Sequence, residues 1–165
     1  MEYSANEIIR LLGLQPLPGE GGFYRETYRS VGKFNGTDGV FPDDRHHATA
    51  IFYMVTPETF STLHRLPGDE IFHFYLGDPV RMLMLHPNGS GEEVILGPDL
   101  SAGQRVQSLV PGGTWQGTRL LPGGRFALLG TTMSPGFDFR DYQAPDRQQL
   151  MIGYPAFSER IMEYC

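Results

Sequence analysis

The sequence predicts an all-β barrel or sandwich, and three observations predict it. Glycine and proline together supply 34 of the 165 residues, roughly a fifth, which is too turn-rich for a helical bundle and below the roughly 25–30% that marks disorder. Aromatic residues make up 12% and charged residues 19%, a folded and aromatic-rich composition. Short apolar runs recur at close spacing, each bounded by Gly, Pro, Asn or Asp, as in strands joined by tight turns. A chain of this length buries about two-thirds of its unfolded surface and folds without a staple. No repeat or change of composition divides it, so residues 1–165 are expected to form one domain.

In chain order, Ser4-Ala5-Asn6-Glu7 has capping-box spacing ahead of Ile8, Ile9, Leu11 and Leu12, and Gly13 then stops the helix. A turn-rich connector over 15–22 leads to a strand over 23–29. Residues 32–47, with Gly36, Gly39 and Pro42, read as a polar loop. Strands are predicted over 48–56, 59–65, 70–76, 80–86, 93–96, 104–110 and 125–132. The tail over 148–164 is apolar at helical spacing and broken by Pro155, so one or two short closing helices are expected.

Charge and cysteine content exclude several classes. The formal charge is −6 and no Lys/Arg run occurs, so neither nucleic acid nor an anionic membrane surface is an expected partner. The single cysteine, Cys165, allows no internal disulfide. The first residues lack a basic region followed by an apolar core, and no apolar run reaches the length of a membrane span. The expected location is therefore cytoplasmic. No Gly-x-Ser-x-Gly, phosphate loop, Cys-x-x-Cys pair or His-Glu-x-x-His is present, which leaves nucleophilic hydrolases and ATP-driven enzymes of those kinds without support.

The chemistry concentrates between His64 and Asp78, predicted as two strands joined by a Pro67-Gly68 turn. Strand alternation sets Phe60, Thr62 and His64 on one face, and Glu70, Phe72 and Phe74 on one face of the next strand. A hairpin would bring His64 and Glu70 together inside a barrel. There an imidazole and a carboxylate can hold a metal, form an acid/base pair, orient a polar ligand or satisfy each other. His73 has the opposite parity. His46-His47 sits in a polar loop and reads as solvated.

This segment resembles the first motif of the cupin superfamily: Gly, five residues, His-x-His, three or four residues, Glu, six residues, Gly. His64, Glu70 and Gly77 match it, and Leu66 replaces the second histidine. Pro111-Gly-Gly-Thr-Trp-Gln116 resembles the second motif, with Gln116 at its last histidine and Leu120 at its asparagine. Four blocks, 20–30, 60–77, 110–116 and 135–139, are similar to the cupin-five family, a domain of unknown function, over nearly the whole chain. The resemblance implies a double-stranded β-helix (jelly-roll) barrel with a central pocket, usually a homodimer, and no settled activity.

The superfamily's usual metal site has three histidines and a glutamate. His64, Glu70 and Gln116 supply only two strong donors and one weak one, so a divalent metal is possible but not favoured, and the cofactor is unknown. The block Gly21–Arg29 is similar to the N-terminal strand of sugar-nucleotide 3,5-epimerases, which implies a ligand-binding role for Arg25, Glu26 and Tyr28; an edge strand with solvated charges is the alternative. Trp115 packs in the core or stacks on a ligand, and Asp138 lies at the barrel mouth or caps a turn. The leading expectation is a pocket for a small polar or anionic metabolite, such as a sugar derivative. It is formed by His64, Glu70, Gln116, Phe72, Phe74, Trp115, Arg25, Glu26, Tyr28 and Asp138. The alternatives are an epimerase-like enzyme using His64 as base and Glu70 as its orienter, a metal-dependent enzyme, and a structural or storage barrel.

Overall fold

Side-chain alternation on the strands builds two facing sheets. The computed structural model describes residues 3–36, 39–41 and 43–165. Among these, the six-stranded sheet runs in the order β1 (Gln15–Pro16), β2 (Phe23–Arg29), β5 (Thr49–Val55), β12 (Ala127–Met133), β7 (Glu70–Gly77) and β10 (Gln107–Val110). The four-stranded sheet runs in the order β6 (Ser61–Arg65), β11 (Trp115–Leu120), β8 (Val80–Leu85) and β9 (Gly91–Leu96). A small ribbon pairs β3 (Lys33–Phe34) with β4 (Arg45–His46). Each of these pairings is antiparallel, and the two sheets form an all-β jelly roll.

The interior is filled at one end by Tyr53, Val55, Phe72, Val80, Met82, Met84 and Leu129. Strand β8 shows why its sequence lacks polar alternation. Met82 and Met84 face this interior, whereas Leu83 and Leu85 face outward under the C-terminal helices α2 (Arg147–Gly153) and α3 (Ser158–Glu163). Leu150, Ile161 and Tyr164 from that tail complete the outer cluster. On the other side, helix α1 (Ala5–Leu12) lays Ile8 over Met54, Phe126 and Leu128. The capping box forms as its spacing predicts. Ser4 Oγ accepts the Glu7 N–H, the Glu7 carboxylate accepts the Ser4 N–H at 2.8 Å, and Gly13 ends the helix at φ +62°.

Several expectations are corrected. The strand β11 carries no strand prediction, because Trp-Gln-Gly-Thr-Arg-Leu has no apolar alternation; it is held between two neighbours instead. Within 104–110, only Gln107–Val110 is a strand. Gln104 and Arg105 lie in the preceding turn, bonded to Asp99 and Ile95. The polar segment 32–47 contains the β3–β4 ribbon, and Pro42 lies outside the described residues. Strands β6 and β7 do not pair as a hairpin. They belong to opposite sheets, so His64 and Glu70 come from facing walls. The face assignment in β6 also changes. Gln116 pairs with His64 and Thr118 with Ser61, so the bulge admits one extra residue and puts Ser61, not Thr62, on the side of His64. No described helix is long and apolar enough to cross a membrane.

Candidate functional site

The unfilled end of the barrel encloses a cavity of about 260 Å³. Its polar wall holds Glu20, His64, Glu70 and Thr131, with Glu26 and Arg29 also among the lining residues. Its apolar wall includes Tyr24, Ile51, Phe72, Phe137 and Phe139. Residues from both sheets therefore converge on one space, as in ordinary small-molecule sites.

Gln116 joins the two walls. Its Nε2 lies 2.8 Å from His64 Nε2 and donates to Glu70 Oε2 at 3.0 Å. His64 Nδ1 is 2.9 Å from the Thr62 carbonyl, which can only accept, so Nδ1 carries the proton and Nε2 accepts from Gln116. His64, Glu70 and Gln116 are all buried. Among the described residues the buried Gln116 Oε1 has no hydrogen-bond partner, and Gln116, expected as a ligand-binding residue, is not part of the cavity wall. The Tyr142 ring stacks on the imidazole, with centroids 5.2 Å apart.

Glu20 enters from the connector between β1 and β2. Its Oε1 accepts the Ser61 hydroxyl at 2.9 Å, and its Oε2 lies 3.7 Å from His64 Nε2. The adjoining glycines fix this approach. Gly21 and Gly22 have φ of +100° and +71°, and a Cβ on Gly22 would come within 2.7 Å of the Tyr53 hydroxyl. Burial pushes the Glu70 carboxyl up to about 7, with the Glu20 charge adding to the effect, against opposing contributions from His64 and Thr131. Glu70 is thus poised to exchange a proton near neutral pH.

The donor set does not fit a divalent metal. Both His64 nitrogens are engaged and Glu70 is bonded to Gln116. Among the described residues, no group of three or more His, Cys, Asp and Glu side chains is arranged to hold an ion.

The remaining residues that the sequence nominated separate by position. Phe72 and Glu26 line the cavity. Phe74 packs into the filled interior and is not part of the cavity wall. Trp115 faces outward into the cluster under the C-terminal helices, with the Arg65 guanidinium 4.6 Å from its ring centroid, because its neighbour Gln116 takes the inward position. Arg25 lies over the Phe52 ring and Tyr28 is exposed, both away from the cavity. Asp138 caps the turn over Phe139–Asp141 and pairs with Arg140. His73 bonds to Thr132 and stacks on Tyr75, and it too is absent from the cavity wall. Sequence reasoning missed Glu20, Arg29, Tyr24 and Tyr142 as site residues. The signal available for Glu20 was its place ahead of Gly21-Gly22, at the start of the first matching block.

The comparisons agree with this geometry at the level of fold. A hypothetical protein from Leishmania major superposes with a TM-score of 0.89 at 32% identity, over 99% of each chain. The protein SO0799 from Shewanella oneidensis gives 0.87 at 32% identity, over 99% of this chain and 98% of that one. An uncharacterized protein of Saccharomyces cerevisiae, YML079W, is 31% identical over 147 residues, covering 81% of this chain and 73% of its own. A variant of Bacillus subtilis oxalate decarboxylase superposes at 0.56 with 12% identity, over 92% of this chain and 37% of that one, a likeness of fold alone. Residues 6–144 match the model of the Cupin_5 family, described as cupin superfamily (DUF985).

Proposed function

The chain belongs to the Cupin_5 family (DUF985) of the cupin superfamily, and from that premise we propose that it binds a small polar metabolite, of the size of a single sugar, inside the barrel. The observation that carries this reading is the 260 Å³ cavity onto which Glu20, His64 and Glu70 converge from different elements. Its volume falls just below the roughly 300–1,000 Å³ of sites for drug-sized ligands. A nucleotide sugar would have to leave its nucleotide outside the barrel, which disfavours the sugar-nucleotide alternative. Should the bound molecule also be converted, Glu70 is a better proton-transfer group than His64, whose two nitrogens are already engaged.

A thermal-shift screen of small sugars, polyols, amines and acids tests the proposal, run with and without a chelator. At a hundred times its dissociation constant a ligand adds about 2.7 kcal/mol, a shift of several degrees for a domain of this size. His64→Ala and Glu70→Ala are expected to abolish the shift. His73→Ala is expected to retain it, since that side chain bonds Thr132 outside the cavity. Loss of the shift in His73→Ala with retention in His64→Ala would place the site on the wrong face.

We infer further that the protein is a homodimer. Strand β1 pairs only with Phe23 and Tyr24 of β2, so from Arg25 to Arg29 the outer edge of β2 has no strand partner among the described residues. A second copy would remove that open edge. Sedimentation at micromolar concentration is expected to give twice the 18.5 kDa chain mass; a mass equal to one chain would refute the dimer.

A further inference from the structure

The charge of the bound molecule can be read from the same cavity, and this inference rests on the proposal that the cavity binds a small polar molecule. We propose that the ligand carries a cationic nitrogen, as in a small amine or an amino sugar, with its ammonium set against Glu20 and its body against the aromatic wall.

Among the charged groups of the described wall, the carboxyls outnumber the cations. Three carboxyl groups line it, Glu20, Glu26 and Glu70, and among the described lining residues Arg29 is the only Lys or Arg. That arginine is already forked onto Glu26, at 3.0 and 2.6 Å, and its remaining arm donates to the Phe137 carbonyl. Three of its five N–H groups are thereby engaged, and its charge is matched by the Glu26 carboxylate. His64 gives its one proton to Thr62 and accepts from Gln116, so it has no hydrogen to donate.

The open capacity is on oxygen. Among the described residues Glu20 Oε2 has no hydrogen bond, and it lies 3.7 Å from His64 Nε2. A buried acceptor without a donor costs free energy that a donating ligand would recover. The faces of Tyr24, Phe72, Phe137 and Phe139 complete a setting that favours a cation over an anion.

A cation beside Glu70 also favours its carboxylate form, so binding releases a proton. The groups facing Glu70 are His64 from β6, Glu20 from the β1–β2 connector, Gln116 from β11, Thr131 from β12 and Tyr53 from β5. Affinity for an amine that stays protonated is therefore expected to rise from pH 6 to pH 8.

The test compares glucosamine, choline and cadaverine with glucose and glucuronate, by thermal shift on the full chain at about 10 mM, where a ligand of millimolar Kd is mostly bound. At least one cation is expected to protect the protein more than glucose does, with no protection by glucuronate. Glu20→Gln keeps an oxygen for Ser61 and is expected to weaken the cation about tenfold or more. The wild-type pH profile gives a second readout that does not depend on any variant folding. Equal or better binding of glucose or glucuronate would overturn the inference and leave the cavity reading standing. No protection by any of the three cations would also overturn it, whereas failure of the wider screen would remove the cavity reading itself.

Discussion

Asp141→Ala is expected to destabilise the fold by about 3–5 kcal/mol, the range for breaking a buried ion pair from one side. Arg45 and Asp141 meet through two bonds, at 2.6 and 3.0 Å, with side chains only 3% and 11% exposed. Removing the carboxylate leaves the guanidinium with the Asp43 and Asp44 carbonyls and the Phe41 ring. Against a total stability of about 5–15 kcal/mol, this is a large fraction. Urea denaturation at neutral pH measures it, with Arg140→Ala as the control. Arg140 is 58% exposed and pairs with the exposed Asp43 and the half-buried Asp138, so its loss is expected to cost about 1 kcal/mol or less. If the two variants lose the same amount, the burial of Arg45 does not have the energetic weight given to it. Asp141 also ends the turn that carries Phe137 and Phe139 to the cavity, so its loss is expected to weaken ligand protection as well.

Glu70→Gln is expected to change the pH dependence of stability. Burial raises the carboxyl from 4.5 to about 7, so between those values the folded state holds a proton that the unfolded state has released. The stability Glu70 contributes is fully present below pH 4.5 and is lost as pH rises to about 7. The span corresponds to about 3 kcal/mol at most. Gln116 can still meet an amide at position 70, and that amide does not titrate. The variant should therefore gain on the wild type by up to about 3 kcal/mol between pH 4.5 and pH 7.5. Denaturant titrations at four pH values in this window provide the check, and parallel profiles would mean that Glu70 is not held neutral in the folded protein.

Most of the fold is legible in the sequence because its strands announce themselves locally. The runs over 48–56, 70–76 and 80–86 are bounded by turn formers, and the Ser4 capping box sits beside its helix. What escapes is set by distant partners. Strand β11 is a strand because β6 and β8 flank it, and no local pattern in Trp115–Leu120 records that. In the site, His64, Glu70 and Gln116 are found from motif spacing, and their mutual bonding is then a matter of three strands meeting. Trp115 illustrates a parity rule that the sequence does contain: adjacent strand residues cannot both face inward, and Gln116 takes the interior. Glu20 escapes for the opposite reason. It lies in a glycine-rich connector where no periodicity exists, and only the fold brings it beside His64.

Thr62, the extra residue of the β6 bulge, gives its carbonyl to His64 Nδ1, while its own N–H and hydroxyl donate to the Glu20 carbonyl at 2.9 and 3.0 Å. One residue thus holds both the imidazole and the connector that brings the Glu20 carboxylate. Deleting it would let Ser61, Leu63 and His64 pair in unbroken register with Thr118, Gly117 and Gln116, keeping the barrel closed. Backbone pairing and chemistry therefore pull in opposite directions at this position. Loss of this one residue would leave a regular ladder and remove the shared anchor of the imidazole and the connector.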